Sequence, residues 1–347
     1  MSLALLWVVS VRAAEPTLHT VSSVDLDRYS GQWFAVAVLR NSFQRFCIDQ
    51  TRAEYEREGN IVRVKNECHS WLFGVNWSLS GRARAVDASK SKLQVKFRGK
   101  EFEENEPANY WILGLGENYE WVLVGVPERN QGWLMVRDPK QSDAAFLNAE
   151  PLLKRNGYDA CDFKLEPQKG FDVDRSESLC LHVKEIQALA RAKKEVPPLV
   201  KQVATNLQSA LMKAIAERGP VEALSFCNEN ALPLTHEKIS QNRTVLSLKR
   251  TSLKVRNPKN APDSRERRVL KEWGERKEPL FEADIQKERV HAYFPIYVQP
   301  QCVLCHGKKT ALLPELSAKL DTLYPDDKAT GYEPGMFRGV FHVEVPF

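Results

Sequence analysis

The sequence predicts two domains, an all-β domain of about eight antiparallel strands, an up-and-down barrel or a sandwich, followed by an α+β domain. Three observations predict this. Between residues 16 and 166, roughly eight short strand signals recur with turn signals between them. Beyond Pro198, helical apolar periodicity alternates with strand patterns. Within that second half lies Cys302-Val303-Leu304-Cys305-His306-Gly307, a spacing that carries its own chemistry. The chain has 347 residues and is 43% hydrophobic, enough for two packed cores. Its net charge of +5 comes from 50 basic and 45 acidic residues. These are interspersed, which reads as a solvated surface rather than a nucleic-acid interface.

In chain order, Leu3 to Val11 is apolar apart from Ser10, and Arg12-Ala13-Ala14-Glu15 follows. Residues 1–14 read as a signal peptide, too short to span a bilayer. No later segment reaches about 18 continuous apolar residues, so no transmembrane helix is expected. Strand signals fall at Trp33–Leu39, Gln50–Tyr55, Ile61–Val64, Leu79–Val86, Leu93–Phe97, Tyr110–Leu115, Trp121–Val126 and Trp133–Val136. After Asp138-Pro139 the period becomes helical, stopped by Asn156-Gly157 as a C-terminal cap, and a short strand follows within Ala160–Leu165. Residues 16–166 thus form the all-β domain and 167–198, rich in charge and closed by Pro197-Pro198, a linker containing a short helix.

Residues 199–347 form the second domain. Val203, Leu207, Leu211 and Ile215 repeat on one helical face. Gly219-Pro220 ends that helix and starts another through Cys227. Val245–Val255 and Val290–Val298 read as strands, with a helix over Ser264–Trp273 between them. A helix over Leu312–Leu323 and a closing strand over Arg338–Val345 complete the domain.

Seven cysteines are present. Two cysteines spaced by two residues, with histidine next, are the spacing of c-type haem attachment: Cys302 and Cys305 form thioethers, and His306 gives one axial nitrogen to iron. Half of a zinc site and a dithiol redox pair are the alternatives. Cys47, Cys68, Cys161 and Cys180 pair as disulfides. Counting out from the Glu58-Gly59 turn favours Cys47–Cys68 with Cys161–Cys180, and Cys47–Cys161 is the rival. Paired cysteines and haem c both point to a periplasmic or secreted protein. Cys227 is left over. As second axial ligand it competes with Met336, His236, His291 and His342; a thiolate would lower the reduction potential. Arg250 and Arg256 are candidate partners for the haem propionates.

The opening Val24-Asp25-Leu26-Asp27-Arg28-Tyr29-Ser30-Gly31-Gln32-Trp33-Phe34 resembles that of bacterial lipocalins, with their G-x-W at Gly31 and Trp33. Asn41-Ser42-Phe43-Gln44 is similar to the loop after their first strand. Asn109-Tyr110-Trp111 resembles their D-Y-W segment with Asn for Asp, and Trp133 to Arg137 resembles the strand whose arginine closes the base. The resemblance spans about residues 22–166. It implies that Trp33 plugs the closed end beneath Arg137, a cation–π contact, and that the calyx holds a small hydrophobic molecule or lipid. Phe34, Phe97, Tyr110 and Trp121 are the candidate calyx residues.

The second half resembles a bacterial c-type haem domain family with a PAS-like sensor core. The residues that carry this are Phe226-Cys227-Asn228, Arg250-Thr251-Ser252, Arg256-Asn257-Pro258, Asn260-Ala261-Pro262, Cys302 to Gly307, Tyr324-Pro325-Asp326, Gly331-Tyr332 and Arg338-Gly339. The family's acidic residue near Met336 is absent. The resemblance implies one covalent haem c in a redox or small-ligand sensor, or in an electron-transfer module with a redox partner. A lipid carrier with accessory haem, and a haem enzyme oxidising barrel-bound cargo, are the alternatives. No catalytic triad, paired carboxylates or phosphate loop stands out, so an enzyme is not favoured.

Overall fold

The computed structural model describes residues 18–40, 46–71, 76–240 and 244–347; the side chains of 226, 227, 230–232, 234 and 236–240 lie outside the description. The expected signal peptide, the 41–44 loop segment and the side chains of Cys227 and His236 therefore fall outside it. The chain divides into two units, residues 1–183 and 184–347.

In the first unit, Asp25 caps a one-turn helix, α1 (Leu26–Tyr29), by accepting from the amides of Asp27 and Arg28. Eight strands follow: β1 (Gly31–Leu39), β2 (Cys47–Glu58), β3 (Ile61–Ser70), β4 (Asn76–Ala85), β5 (Lys92–Phe97), β6 (Tyr110–Leu115), β7 (Trp121–Gly125) and β8 (Gly132–Val136). Each pairs antiparallel with the next, and β1 pairs with both β2 and β8. The sheet is thereby closed, as expected, and no edge is left open among β1–β8. Alternation sets the inside: Trp33, Ala35, Val62, Val64, Val122 and Val124 belong to the buried cluster of the barrel. Helix α2 (Asp143–Arg155) lies beyond β8, and the short β9 (Phe163–Leu165) pairs with β1.

In the second unit, the long helical run α3 (Leu179–Ser240) is broken at Gly219, whose φ is 77°, as the Gly219-Pro220 pair predicts. A four-stranded antiparallel sheet follows. Its strands are β10 (Ser247–Thr251), β11 (Leu280–Asp284), β12 (Arg289–Tyr297) and β13 (Phe337–Pro346), in the order β10-β13-β12-β11. Between them come α4 (Ser264–Glu272), α5 (Val303–His306) and α6 (Pro314–Leu323). One sheet face carries Val290, Ala292, Phe294, Phe341 and Val343, packed with Ala188, Ala192, Val196 and Val203 of α3. The other face carries Tyr293 against Val269, Leu270 and Trp273 around α4.

Two expectations change. The stretch 167–198 is not a spacer throughout: from Lys184 it belongs to the second unit, because its alanines and valines fall at helical spacing and bury against the sheet. The edge strand β11 was not expected. Its five residues are all half-buried, so neither alternation nor an apolar run marks it.

Candidate functional site

Two cavities stand out, one inside each unit. The first, about 460 Å³, fills the barrel. Its lining is largely apolar, with Phe97, Tyr110, Trp77 and Met135 on the wall. At the closed end the Tyr29 and Tyr110 hydroxyls lie 2.6 Å apart, and those of Tyr55 and Tyr110 3.0 Å apart. Burial pushes the Tyr55 phenol up to about 12 and the other two well above their ordinary value, so all three are neutral donors and acceptors. Below them Trp33 is fully buried, and its Nε1 donates to the Tyr29 carbonyl at 2.8 Å. Arg137 sits 3.8 Å above the Trp33 ring and donates to the carbonyls of Arg28, Tyr29, Ser30 and Gln32. Gly31 turns the chain there with φ +94°, and a Cβ on it would lie 3.3 Å from the Arg137 guanidinium.

Of the four calyx candidates, Phe97 and Tyr110 line the cavity and Phe34 and Trp121 do not. Phe34 alternates with inward Trp33 and Ala35, so it points out. Trp121 precedes inward Val122 and packs outside the barrel beside Gly114, near Leu152 of α2. The hydrophobic outer face under α2 disguises the inner one. The disulfides are Cys47–Cys68, with Cα atoms 5.6 Å apart, and Cys161–Cys180, at 4.9 Å. Cys47 and Cys68 sit near each other across β2 and β3, where Cys47 faces Ser70, and Cys47–Cys161 is excluded.

The second cavity, about 560 Å³, lies between α3 and the apolar sheet face. Leu207, Leu211 and Ile215 form one wall; these are the stripe seen as helical periodicity. Cys302, Cys305 and His306 form another. The peptide carrying them is tightly held. Pro300 opens a 3₁₀ turn that runs into α5. The amides of Gly331 and Tyr332 donate to the carbonyls of Gly307 and His306. A Cβ at Gly307 would come within 2.6 Å of the Val303 carbonyl, so glycine is required after His306.

Arg256 donates to the Cys305 carbonyl at 2.6 Å and pairs with Asp327 at 2.9 Å. Asp327 in turn accepts from the Ala329 amide, and the Ala329 carbonyl accepts the His306 Nδ1–H at 2.7 Å. That bond fixes the His306 tautomer: Nδ1 carries the proton and Nε2 keeps its lone pair. Burial, then Arg256 and Arg338, push the imidazole down to about 3, so it is neutral.

Arg250, Arg256 and Arg338 all line this cavity. Arg256 is committed to Asp327 and Cys305, so its observed work is to brace the Cys302–His306 turn. Arg338, not among the expected propionate partners, contacts the Lys254 carbonyl at 3.0 Å and lies 5.2 Å over the Tyr332 ring. Its motif neighbour Gly339 was the available signal: a Cβ there would collide with the Thr251 carbonyl, which keeps β13 tight on β10 beside the cavity.

Met336 is half exposed, with its sulfur accepting from the Glu333 amide, and does not line the cavity. His291 and His342 lie on the opposite sheet face, hydrogen-bonded to one another. None of these three lines the cavity. Cys227 lies one helical turn beyond Ala223 and Leu224, which line the cavity.

The cavity fits haem. It offers a neutral imidazole nitrogen, two thiols at the attachment spacing, apolar walls and a cationic rim suited to two carboxylates. Cys302 and Cys305 stand outside both disulfides.

Comparison with known proteins agrees with this division. Residues 24–168 match a family model described as the lipocalin-like domain, and residues 173–346 match the model described as Tll0287. The chain belongs to the Tll0287-like family. Its N-terminal half is a lipocalin-like domain. That half is 27% identical over 156 residues to temperature-induced lipocalin-1 of Arabidopsis thaliana, covering 44% of this chain and 83% of the relative. It is 26% identical over 166 residues to outer membrane lipoprotein Blc of Escherichia coli, covering 46% and 90%. The Tll0287-like half is similar to the solved cyanobacterial heme-protein Tll0287, at 26% identity and a TM-score of 0.32, covering 43% of this chain and 96% of that one. No helix among the described residues is long and apolar enough to cross a membrane.

Proposed function

We propose that this is an exported c-type haem protein, a redox or small-ligand sensor or an electron-transfer module, whose barrel binds a small hydrophobic molecule. One observation carries the haem reading. The Ala329 carbonyl holds the His306 Nδ1 proton, leaving Nε2 as a lone pair on a residue that lines the same cavity as Cys302 and Cys305. Bound haem would supply one-electron chemistry at iron and a site for diatomic ligands. The protein's own residues set its terms. Cys302 and Cys305 would tether it, His306 would ligate it, and Arg250 and Arg338 would pair with its carboxylates. Cys227 would be the second ligand: it lies one helical turn beyond Ala223 and Leu224, which line the cavity, whereas Met336, His291 and His342 do not line it. A thiolate there would favour the ferric state, and its displacement would provide a switch. The two disulfides and the attachment motif support a periplasmic or secreted location.

The barrel reading rests on a largely apolar cavity with the bonded hydroxyls of Tyr29, Tyr55 and Tyr110 at its closed end. Its occupant is a hydrophobic molecule or lipid tail, and a redox protein is the further partner that the haem reading calls for.

Expression with a haem c maturation system tests the haem claim. The intact mass should rise by one haem and survive denaturation; an unmodified mass contradicts it. Carbon monoxide should bind ferrous protein slowly, limited by loss of Cys227, and rapid binding with Cys227 still ligated contradicts six-coordination. Tryptophan fluorescence titrated with fatty acids and lysolipids tests the barrel, and no quenching by any of them counts against cargo binding.

A further inference from the structure

The face of the second sheet that turns away from the His306 cavity carries a buried cluster of its own. His291 on β12 and His342 on β13 are each over nine-tenths buried. His291 Nδ1 lies 2.9 Å from His342 Nε2. Glu344, directly across from His291 in the register, brings Oε1 to 3.7 Å from the same Nδ1. Behind His342, Nδ1 donates to Glu266 Oε1 at 2.8 Å. Behind His291, Asp284 Oδ2 is 3.8 Å from Nε2. Two polar atoms in this cluster, His291 Nε2 and Tyr293 Oη, are buried and have no hydrogen-bond partner among the described residues. Buried polar atoms seldom stay unpaired unless a missing group satisfies or reorganises them.

We propose that His291, His342 and Glu344 bind a divalent ion of the zinc class. The ligand atoms of the three residues lie within 4.8 Å of one another. At ordinary zinc–nitrogen and zinc–oxygen lengths, donors on a tetrahedron stand about 3.4 Å apart. The two measured separations bracket that value, so the imidazoles need part by only about half an ångström. Two imidazoles select zinc, copper, nickel or cobalt over calcium and magnesium, which take oxygen.

The surroundings match those of a metal-binding histidine pair. Such histidines give their other N–H to a carboxylate, which fixes the tautomer and orients the ring. Glu266 already does this for His342, so His342 Nε2 carries the lone pair. Glu266 is itself held in place: Lys249 Nζ donates to its Oε2 at 2.8 Å, and so does the Asp263 amide. Asp284 stands in the matching place for His291.

Without metal, the His291 proton sits on Nδ1 and points at His342, stranding Nε2. Metal capture moves that proton from Nδ1 to Nε2, on the side of Asp284, and frees Nδ1 as a ligand. Both histidines then have a carboxylate behind them. Glu344 is the way in, since its side chain is 22% exposed while both imidazoles are buried. Arg289, Lys249 and Arg265 each pair with one carboxylate of the cluster. This leaves Glu344 Oε1 as the acceptor turned towards the histidines.

Zinc content decides the matter in the full-length, haem-matured protein. The protein is stripped with chelator, incubated with excess zinc chloride, desalted and analysed by plasma mass spectrometry. Wild type should retain about one zinc per chain. His342→Gln should retain none, and Glu344→Gln, at the exposed rim, should bind at least about tenfold more weakly. A Cys302→Ala/Cys305→Ala variant should keep its zinc. Wild type without zinc overturns the site, as does zinc that survives His342→Gln or depends on the two cysteines. If His342→Gln fails to fold, Glu344→Gln decides alone, and unchanged affinity in it refutes the proposal.

Discussion

The barrel cavity and the His306 cavity are alike in volume, about 460 and 560 Å³, and unlike in what they offer a guest. The barrel gives apolar wall and three mutually bonded hydroxyls. It holds by burial, which is tolerant of the guest's shape. The second cavity gives a neutral imidazole nitrogen, two thiols and three arginines. It holds by bonds whose geometry is set through a chain of contacts from Arg256 to Asp327, Ala329 and His306. The difference shows in how each is made rigid. The barrel's closed end rests on one tryptophan and one arginine, while the Cys302–His306 turn is held by residues drawn from several segments of the unit.

This contrast can be broken in order of effect. Replacing both Cys302 and Cys305 with alanine should abolish covalent haem and leave the barrel's ligand titration unchanged; haem stain persisting on a denaturing gel would contradict the attachment. Trp33→Ala empties a fully buried site and should cost about 3–5 kcal/mol. That loss should appear in the denaturant unfolding of the barrel while the haem spectrum stays the same. Arg256→Ala leaves Asp327, whose side chain is 7% exposed, buried without its cation, at a cost of about 3 kcal/mol. Haem incorporation should fall with it, and normal incorporation would show that the turn is braced by something else.

Acid should act on the second unit through Glu266. Burial alone would raise its carboxyl, but bonds from His342, Lys249 and the Asp263 amide overcome this and hold it down at about 2. Because the folded value lies below the ordinary one, the stabilisation is complete above about pH 4.5 and is lost as pH falls towards 2. The loss amounts to roughly 3 kcal/mol. Denaturation midpoints of wild type and Glu266→Gln, taken between pH 6 and 3, should converge as pH falls; parallel curves would remove Glu266 from the account. The smallest effect is expected from Tyr110→Phe. Two buried hydroxyls, of Tyr29 and Tyr55, lose their shared partner at a cost of about 1–2 kcal/mol. Cargo affinity should change only a few-fold if the apolar wall dominates.

Much of this was legible in the sequence, unevenly. Eight strands followed from alternation and turns, their closure from the resemblance to lipocalins, and the helix stripe Leu207, Leu211, Ile215 became a cavity wall. Gly31, Trp33 and Arg137 stood out through the resemblance to lipocalins, and the structure shows the plug, the cation over its ring and the tight turn that go with them. The calyx face was only half legible. Phe34 and Trp121 are large and apolar but point outwards, because helix α2 and neighbouring loops give this barrel a hydrophobic exterior as well. The linker was misread because proline and charge mask an apolar helical face. Arg256 was recognised as part of the site but given a propionate to bind, whereas its guanidinium is taken by Asp327 and Cys305. Arg338 was legible only as part of the Arg338-Gly339 pair, without a role, and the His291–His342–Glu266 chain was not legible, since residues far apart in sequence meet only once β10, β12, β13 and α4 are assembled.

The central claim is a haem held by Cys302, Cys305 and His306 with Cys227 opposite. The most direct measurement is the absorption spectrum of wild type and Cys227→Ala after haem c maturation. The account predicts covalent haem in both, with a thiolate signature in ferric wild type that vanishes in the variant. Identical spectra would move the second ligand elsewhere, and absence of haem from both would contradict the account at its root.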